Sequence, residues 1–141
     1  MEINIRKMIP EDLPQIQELY KELVSDGCSL STLLNNYEKI CSHPDYILLV
    51  AVKEDAVLGS ATGIVCTALD TPFLVVENVI VRDDCRSMGI GRAIFDKLDC
   101  FAREKQCSYA ILASSGYRKG AHKFYEAIGY NDDVRGFRKY Y

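Results

Sequence analysis

The residues best placed to do chemistry lie in the run Arg86-Ser87-Met88-Gly89-Ile90-Gly91-Arg92, between a strongly apolar stretch and an amphipathic one. The first turn of a helix leaves several N–H groups unpaired and carries a partial positive charge, so it binds phosphate wherever side chains let an anion approach. Glycines at 89 and 91 would clear that approach, and Arg86 and Arg92 would add cationic contacts. The same Gly-x-Gly pair is also compatible with a plain turn that packs a strand closely against a helix. Two other phosphate motifs fail on the letters. A dinucleotide fingerprint wants glycine or alanine where Ile94 stands and an acid near Ile111, and a Walker loop wants Gly-Lys followed by Ser or Thr, which is absent.

Other reactive side chains are fewer. Glu77 and Asn78 interrupt the most apolar segment of the chain, Phe73 to Val81. Six cysteines, at 28, 41, 66, 85, 100 and 107, show no Cys-x-x-Cys spacing, and only His43 and His122 could join them. No metal site and no disulfide framework is therefore expected, and the thiols read as small, half-apolar residues in a reducing compartment. Cys85 lacks a histidine at a recognisable activating position, which argues against it as an acyl-carrying nucleophile.

These groups need elements to hold them. Residues 2 to 8 read as a strand. Pro10-Glu11-Asp12 opens a helix with Leu13, Ile16, Tyr20 and Leu23 at helical spacing, stopped by Asp26-Gly27. A second helix is predicted from about Leu30 to Cys41, with Leu30, Leu33, Leu34, Tyr37 and Cys41 as its apolar stripe. The period then changes. Tyr46 to Val52 and Val57 to Cys66 form a hairpin about Lys53-Glu54-Asp55, followed by the strand Phe73 to Val81. Helical spacing returns from Gly89, with Ile90, Ile94, Leu98 and Phe101 on one face. A strand from Tyr109 to Ala113, a short helix from about Gly120 to Ile128 stopped by a left-handed Gly129, and one or two terminal strands through Tyr130, Val134, Phe137 and Tyr140 complete the chain. The predicted fold is mixed α/β, one domain over residues 1–141, with helices on the faces of a mixed sheet.

Composition sets outer bounds. At 141 residues, 48% hydrophobic and 26% charged, the chain can bury a core without staples. A net charge of -3 offers no basic field for nucleic acid or an anionic membrane. With no secretory signal in Ile3-Asn4-Ile5-Arg6-Lys7 and no apolar run near the roughly 20 residues of a membrane span, a cytoplasmic location is expected.

Taken together, the motifs resemble the GNAT superfamily, the Gcn5-related N-acetyltransferases. The family's Arg/Gln-x-x-Gly-x-Gly/Ala signature after a long apolar strand is matched by Arg86, Gly89 and Gly91, and its Ala-x-x-Phe-Tyr-x-x-x-Gly-Phe/Tyr feature by Ala121, Phe124, Tyr125, Gly129 and Tyr130. The resemblance covers essentially the whole chain. It implies a twisted mixed sheet of six or seven strands flanked by about four helices, the central strands splayed to admit acetyl-CoA as cosubstrate. It also implies that the backbone of Ile80 and Val81 pairs with pantetheine, and that Arg86, Ser87, Met88, Gly89, Ile90, Gly91 and Arg92 hold the pyrophosphate. Arg118, where relatives often have asparagine, either reaches a phosphate or lies in solvent.

Such a reaction moves an acetyl group from a thioester to a primary amine, of a small molecule or a peptide. An alkyl amine with a pKa of about 10.4 arrives charged, so a proton acceptor is useful. Glu77 is the leading candidate, nine residues before Arg86 as in some polyamine-acetylating relatives. Burial in its apolar strand would raise its pKa and make it a better base. Otherwise it caps a sheet edge or pairs with a basic residue. Tyr125 matches the family's general acid for the departing thiolate, and is otherwise a packing aromatic. A backbone N–H near Val79 to Val81 would stabilise the oxyanion. Asp26, Asp70, Asp132 and Asp133 would attract a cationic acceptor or lie solvated in loops. The resemblance also allows a homodimer through the terminal strands, and, as the alternative function, a silent acetyl-CoA-binding sensor or interaction module.

Overall fold

In the computed structural model, which describes residues 2–114 and 119–141, the changes of hydrophobic period become changes of element. Four antiparallel strands, β1 (Asn4–Lys7), β2 (Tyr46–Lys53), β3 (Ala56–Thr67) and β4 (Pro72–Val81), lie side by side in chain order, and β5 (Ala110–Leu112) adds parallel to β4. Parallel addition needs a crossover, which α3 (Ile90–Glu104) supplies. Helices α1 (Leu13–Tyr20) and α2 (Leu30–Ile40) cover one face of the sheet, and α3 and α4 (Lys119–Ala127) the other. The hairpin turn is Glu54-Asp55, with Lys53 paired to Ala56 and Glu54 at φ +56°. Among the described residues no helix is long and apolar enough to cross a membrane, and all six cysteines are free.

Two cores result. Ile90, Ile94, Phe95, Leu98 and Phe101 of α3 pack on Leu49, Ala51, Ala61, Leu74 and Val76, and each such side chain withdrawn from water stabilises the fold by about 1.5–3 kcal/mol. Opposite, Leu13, Ile16 and Leu19 of α1 pack on Val50, Val52, Val57 and Ile80. Asp12 fixes the start of α1. It accepts two hydrogen bonds from Arg6, at 2.8 and 2.9 Å, and one from the Ile9 N–H at 2.9 Å. Burial by itself would push the Asp12 carboxyl up, but these bonds and the Arg6 charge outweigh it and hold its pKa below the ordinary 3.8.

Three expectations need correction. The first helix ends at Tyr20, and tight turns carry the chain on to Gly27. The apolar stripe of α2 is only partly covered, Leu30 and Leu34 each remaining 41% exposed. The tail forms no terminal strand among the described residues, so the sheet has five strands rather than six or seven. Alternation alone does not make a strand, because a ladder needs a neighbour to accept its hydrogen bonds. Asp132, Asp133 and Gly136 weaken the segment further, and Phe137 and Tyr141 stand in solvent.

The sheet opens where β4 and β5 part. Their pairing runs only from Leu74 with Ala110 to Val76 with Leu112, whereas β4 continues to Val81 alongside β3 alone. In that stretch β4 also bulges. Thr62 faces Glu77 but Ser60 faces Ile80, so β4 carries one residue more than β3, and Asn78 takes the left-handed φ of +53°. An extra residue reverses the alternation of a strand. Leu74 and Val76 before the bulge face α3, as do Val79 and Val81 after it, and Ile80 turns to the α1 core.

Candidate functional site

The loop between β4 and α3 is shaped by its ends. A 3-10 turn, Asp83–Cys85, drives Cys85 into the core at 7% exposure, while Ile90 at 2% anchors the other end. Between them Ser87 and Gly89 both have positive φ, +73° and +79°, and residues 86–89 are exposed. No side chain caps α3. Its first intrahelical bond from this end runs from the Ala93 N–H to the Gly89 carbonyl, so the amides of Ile90, Gly91 and Arg92 form the open first turn. An exposed, uncapped helix start of fifteen residues' length, next to arginine, is chemically suited to an anion.

The two glycines serve different ends. Gly89 needs its left-handed backbone, and a Cβ there would meet nothing within 4 Å. Gly91 is ordinary helix, and a Cβ there would lie 3.1 Å from Cζ of Phe124. The absent side chain therefore lets α4 approach α3, a packing role the sequence did not disclose.

Arg86 is already engaged. Its Nη2 lies 2.9 Å from Asp83 Oδ1 in the same loop and 3.4 Å from Glu22 Oε2, just beyond α1. Arg82 is taken up by a two-pronged bond to Asp84, at 2.9 and 2.6 Å, which with a weaker bond from Cys85 lowers the Asp84 carboxyl to about 2. Burial, then Asp84, pushes the Cys85 thiol up and favours its neutral form. This is the wrong direction for a nucleophile.

The expected burial of Glu77 does not occur. Its side chain is exposed beside the bulge, although the strand around it is apolar. The physical reason is parity: Leu74 and Val76 face α3, so Glu77, which precedes the bulge, points to the opposite face and remains exposed there. Its cross-strand neighbour is Thr62, which is 6% exposed and is a hydrogen-bonding neighbour of the Tyr20 phenol. Burial raises Tyr20 to about 12, the Thr62 bond opposing and Cys28 adding to the shift, so that phenol stays protonated. Arg138 of the tail, hydrogen-bonded to Tyr140 at 2.7 Å, lies near enough to Glu77 to be raised slightly by it as well. Neither Tyr20 nor Thr62 stood out in the sequence, since Tyr20 reads as one member of an apolar stripe.

Tyr125 is 8% exposed within an aromatic group, its ring 5.9 Å from Phe95, 5.7 Å from Phe124 and 6.3 Å from Tyr130. Tyr130, pushed up to about 12 by burial first and by Asp99 and Tyr125 next, has a buried hydroxyl with no hydrogen-bond partner among the described residues. Val79, Ile80 and Val81 line the parted edge of β4. Arg118 lies outside the described residues. Asp26 borders a surface hollow of about 330 Å³ between α1 and α2 with Gln17, Lys21, Gly27, Cys28 and Ser29.

The model of the acetyltransferase (GNAT) family matches residues 13–130 of this chain. The uncharacterized N-acetyltransferase YhdJ of Bacillus subtilis is 25% identical over 131 residues, 92% of this chain and 89% of that protein. Among solved structures, a putative acetyltransferase from Agrobacterium tumefaciens superposes with a TM-score of 0.88 at 23% identity, covering 98% of this chain and 99% of that one. AAC(6')-Iy, solved in complex with the bisubstrate analog CoA-S-monomethyl-acetylneamine, superposes with a TM-score of 0.82 at 19% identity over 99% of both chains. At these identities the structures establish likeness of fold.

Proposed function

The chain belongs to the acetyltransferase (GNAT) family, and on that premise we propose that it transfers the acetyl group of acetyl-CoA directly to a primary amine in the cytosol. The observation that carries this is the uncapped start of α3 beside the gap between β4 and β5. In this reading the amides and side chains from Arg86 to Arg92 take the pyrophosphate, with Arg118 as a further phosphate contact. The pantetheine lies along the free edge of β4 at Ile80 and Val81. The binding of a CoA-containing analog by AAC(6')-Iy, whose fold this chain shares, supports a CoA ligand here.

The amine approaches from the α1 side, where Glu77 stands exposed and can accept a proton directly or through water. The amine lone pair attacks the thioester carbonyl carbon, an N–H from Val79 to Val81 stabilises the oxyanion, and Glu77 takes the proton that the attacking nitrogen sheds. Collapse breaks the C–S bond and expels the thiolate, to which Tyr125 donates a proton. Removing one such oxyanion donor typically costs about 3–4 kcal/mol of barrier. The acceptor is a small molecule or peptide amine. Homodimerisation through the tail is proposed on its exposed Val134, Phe137, Tyr140 and Tyr141, and a monomeric mass at micromolar concentration would reject it.

A second reading, an acetyl-CoA-binding module without turnover, draws on the packing of Tyr125 among three aromatic rings. One experiment separates the two. The protein is titrated with CoA by calorimetry, then mixed with acetyl-CoA and a panel of primary amines while free thiol is followed. Uptake with amine-dependent thiol release supports the transferase, uptake without release at any amine supports the silent module, and no uptake rejects both.

A further inference from the structure

The Arg86–Glu22 contact joins two elements that the chain keeps 64 residues apart. Glu22 sits in the run of turns after α1, fixed by hydrogen bonds from its own N–H to Leu19 at 3.2 Å, from Leu23 and Val24 to Tyr20 at 3.0 and 2.9 Å, and from Gly27 to Val24 at 2.9 Å. This run borders the hollow between α1 and α2, on the face where Glu77 is exposed. Asp83 belongs to the loop itself and travels with Arg86, whereas Glu22 does not. Neighbouring charges do not relieve Glu22, because Lys21 is turned to Glu18 at 3.0 Å and Arg82 to Asp84.

We infer that Glu22 is a displaceable counter-ion of Arg86, through which an arriving pyrophosphate acts on the segment between α1 and α2. The inference rests on Arg86 as a phosphate ligand. Two oxygens of a phosphate group offer the guanidinium a stronger, two-pronged partner than a single carboxylate oxygen at 3.4 Å. The phosphate also repels the carboxylate it replaces. Both side chains are well exposed, 54% and 40%, so the pair is weak enough to exchange and sensitive to salt. Once released, Glu22 no longer ties the turns at residues 21–27 to the cofactor loop. Cofactor binding thereby loosens the acceptor side, and by reciprocity an acceptor that orders those turns alters cofactor affinity. Glu22 is thus a positioning residue that acts through Arg86.

Calorimetry with CoA and hydrogen exchange test this on the intact protein. Glu22→Gln should bind CoA about two- to fivefold more tightly than wild type at low salt, the range expected for loss of one exposed ion pair. The advantage should vanish near 1 M salt, where the screening length falls to about 3 Å. Glu18→Gln, an equal change of charge one turn away, should leave affinity unchanged. In wild type, CoA should speed exchange at the amides of Leu23, Val24 and Gly27, and in Glu22→Gln these should exchange fast already. Equal or weaker binding by Glu22→Gln, or an equal gain in Glu18→Gln, overturns the counter-ion role. Exchange indifferent to CoA in wild type overturns the linkage, and absence of CoA uptake by wild type overturns the phosphate site together with it.

Discussion

Replacing Gly91 by alanine sets two effects of known size against each other. Alanine is favoured over glycine within a helix by about 1 kcal/mol, and somewhat less in a first turn. The new methyl would lie 3.1 Å from Phe124 Cζ and 3.6 Å from Cε1 and Cε2, so the ring must retreat by a few tenths of an ångström. Retreat is resisted. Phe124 meets Phe95 edge-on with ring centres 5.8 Å apart and Tyr125 at 5.7 Å, and overpacking of that kind costs about 1–3 kcal/mol. The balance is a loss of about 0–2 kcal/mol, or a Tm lower by up to about 8 °C for a chain of this size. Urea denaturation of a double-mutant cycle isolates the cause. In a Phe124→Leu background the clash is gone, so Gly91→Ala should become neutral or stabilising. An equal penalty in both backgrounds, or a more stable single mutant, would refute the assignment of Gly91 to helix packing.

Further expectations concern the loop, the base and the start of α1. Gly89→Ala meets no steric neighbour but must hold φ +79°, so it should cost about 1–2 kcal/mol, weaken CoA binding by calorimetry, and show no rescue by Phe124→Leu. Glu77→Gln should lower kcat/KM for the amine at neutral pH while leaving KM for acetyl-CoA unchanged, and a rate equal to wild type across the pH profile would remove Glu77 from proton transfer. Asp12→Ala should cost about 2–3 kcal/mol by stranding Arg6, since the pair is buried on the Asp12 side and part-exposed on the other. Because the folded-state pKa of Asp12 lies below its ordinary value, the unfolded chain binds more protons across that interval. Its contribution should thus be complete above about pH 5 and fall away as pH drops through the folded-state value, and denaturation of Asp12→Asn should show a flatter acid limb.

Much of this molecule was legible along the chain. The period of apolar residues marked α3 with its buried Ile90, Ile94, Leu98 and Phe101, and turn residues marked the hairpin about Lys53-Glu54-Asp55 and the left-handed stop at Gly129, φ +109°. Arg86, Gly89 and Gly91, with Ala121, Phe124, Tyr125, Gly129 and Tyr130, pointed to the family that the chain belongs to. These signals are local, because helix and strand periods and backbone preferences are set within a few residues.

What the sequence left open depends on which segments meet. The apolar run around Glu77 suggests a buried side chain, but Leu74 and Val76 take the face toward α3 and leave Glu77 on the other, exposed; the bulge that follows it resets the faces of Val79, Ile80 and Val81. Tail alternation resembles a strand until a neighbour is required to complete its hydrogen bonds. Gly91 reads as room for a ligand until Phe124 is seen to fill the space, and nothing near Glu22 in the chain announces Arg86. Register, pairing and long-range charge contacts are properties of two segments at once, so only the folded chain could decide them.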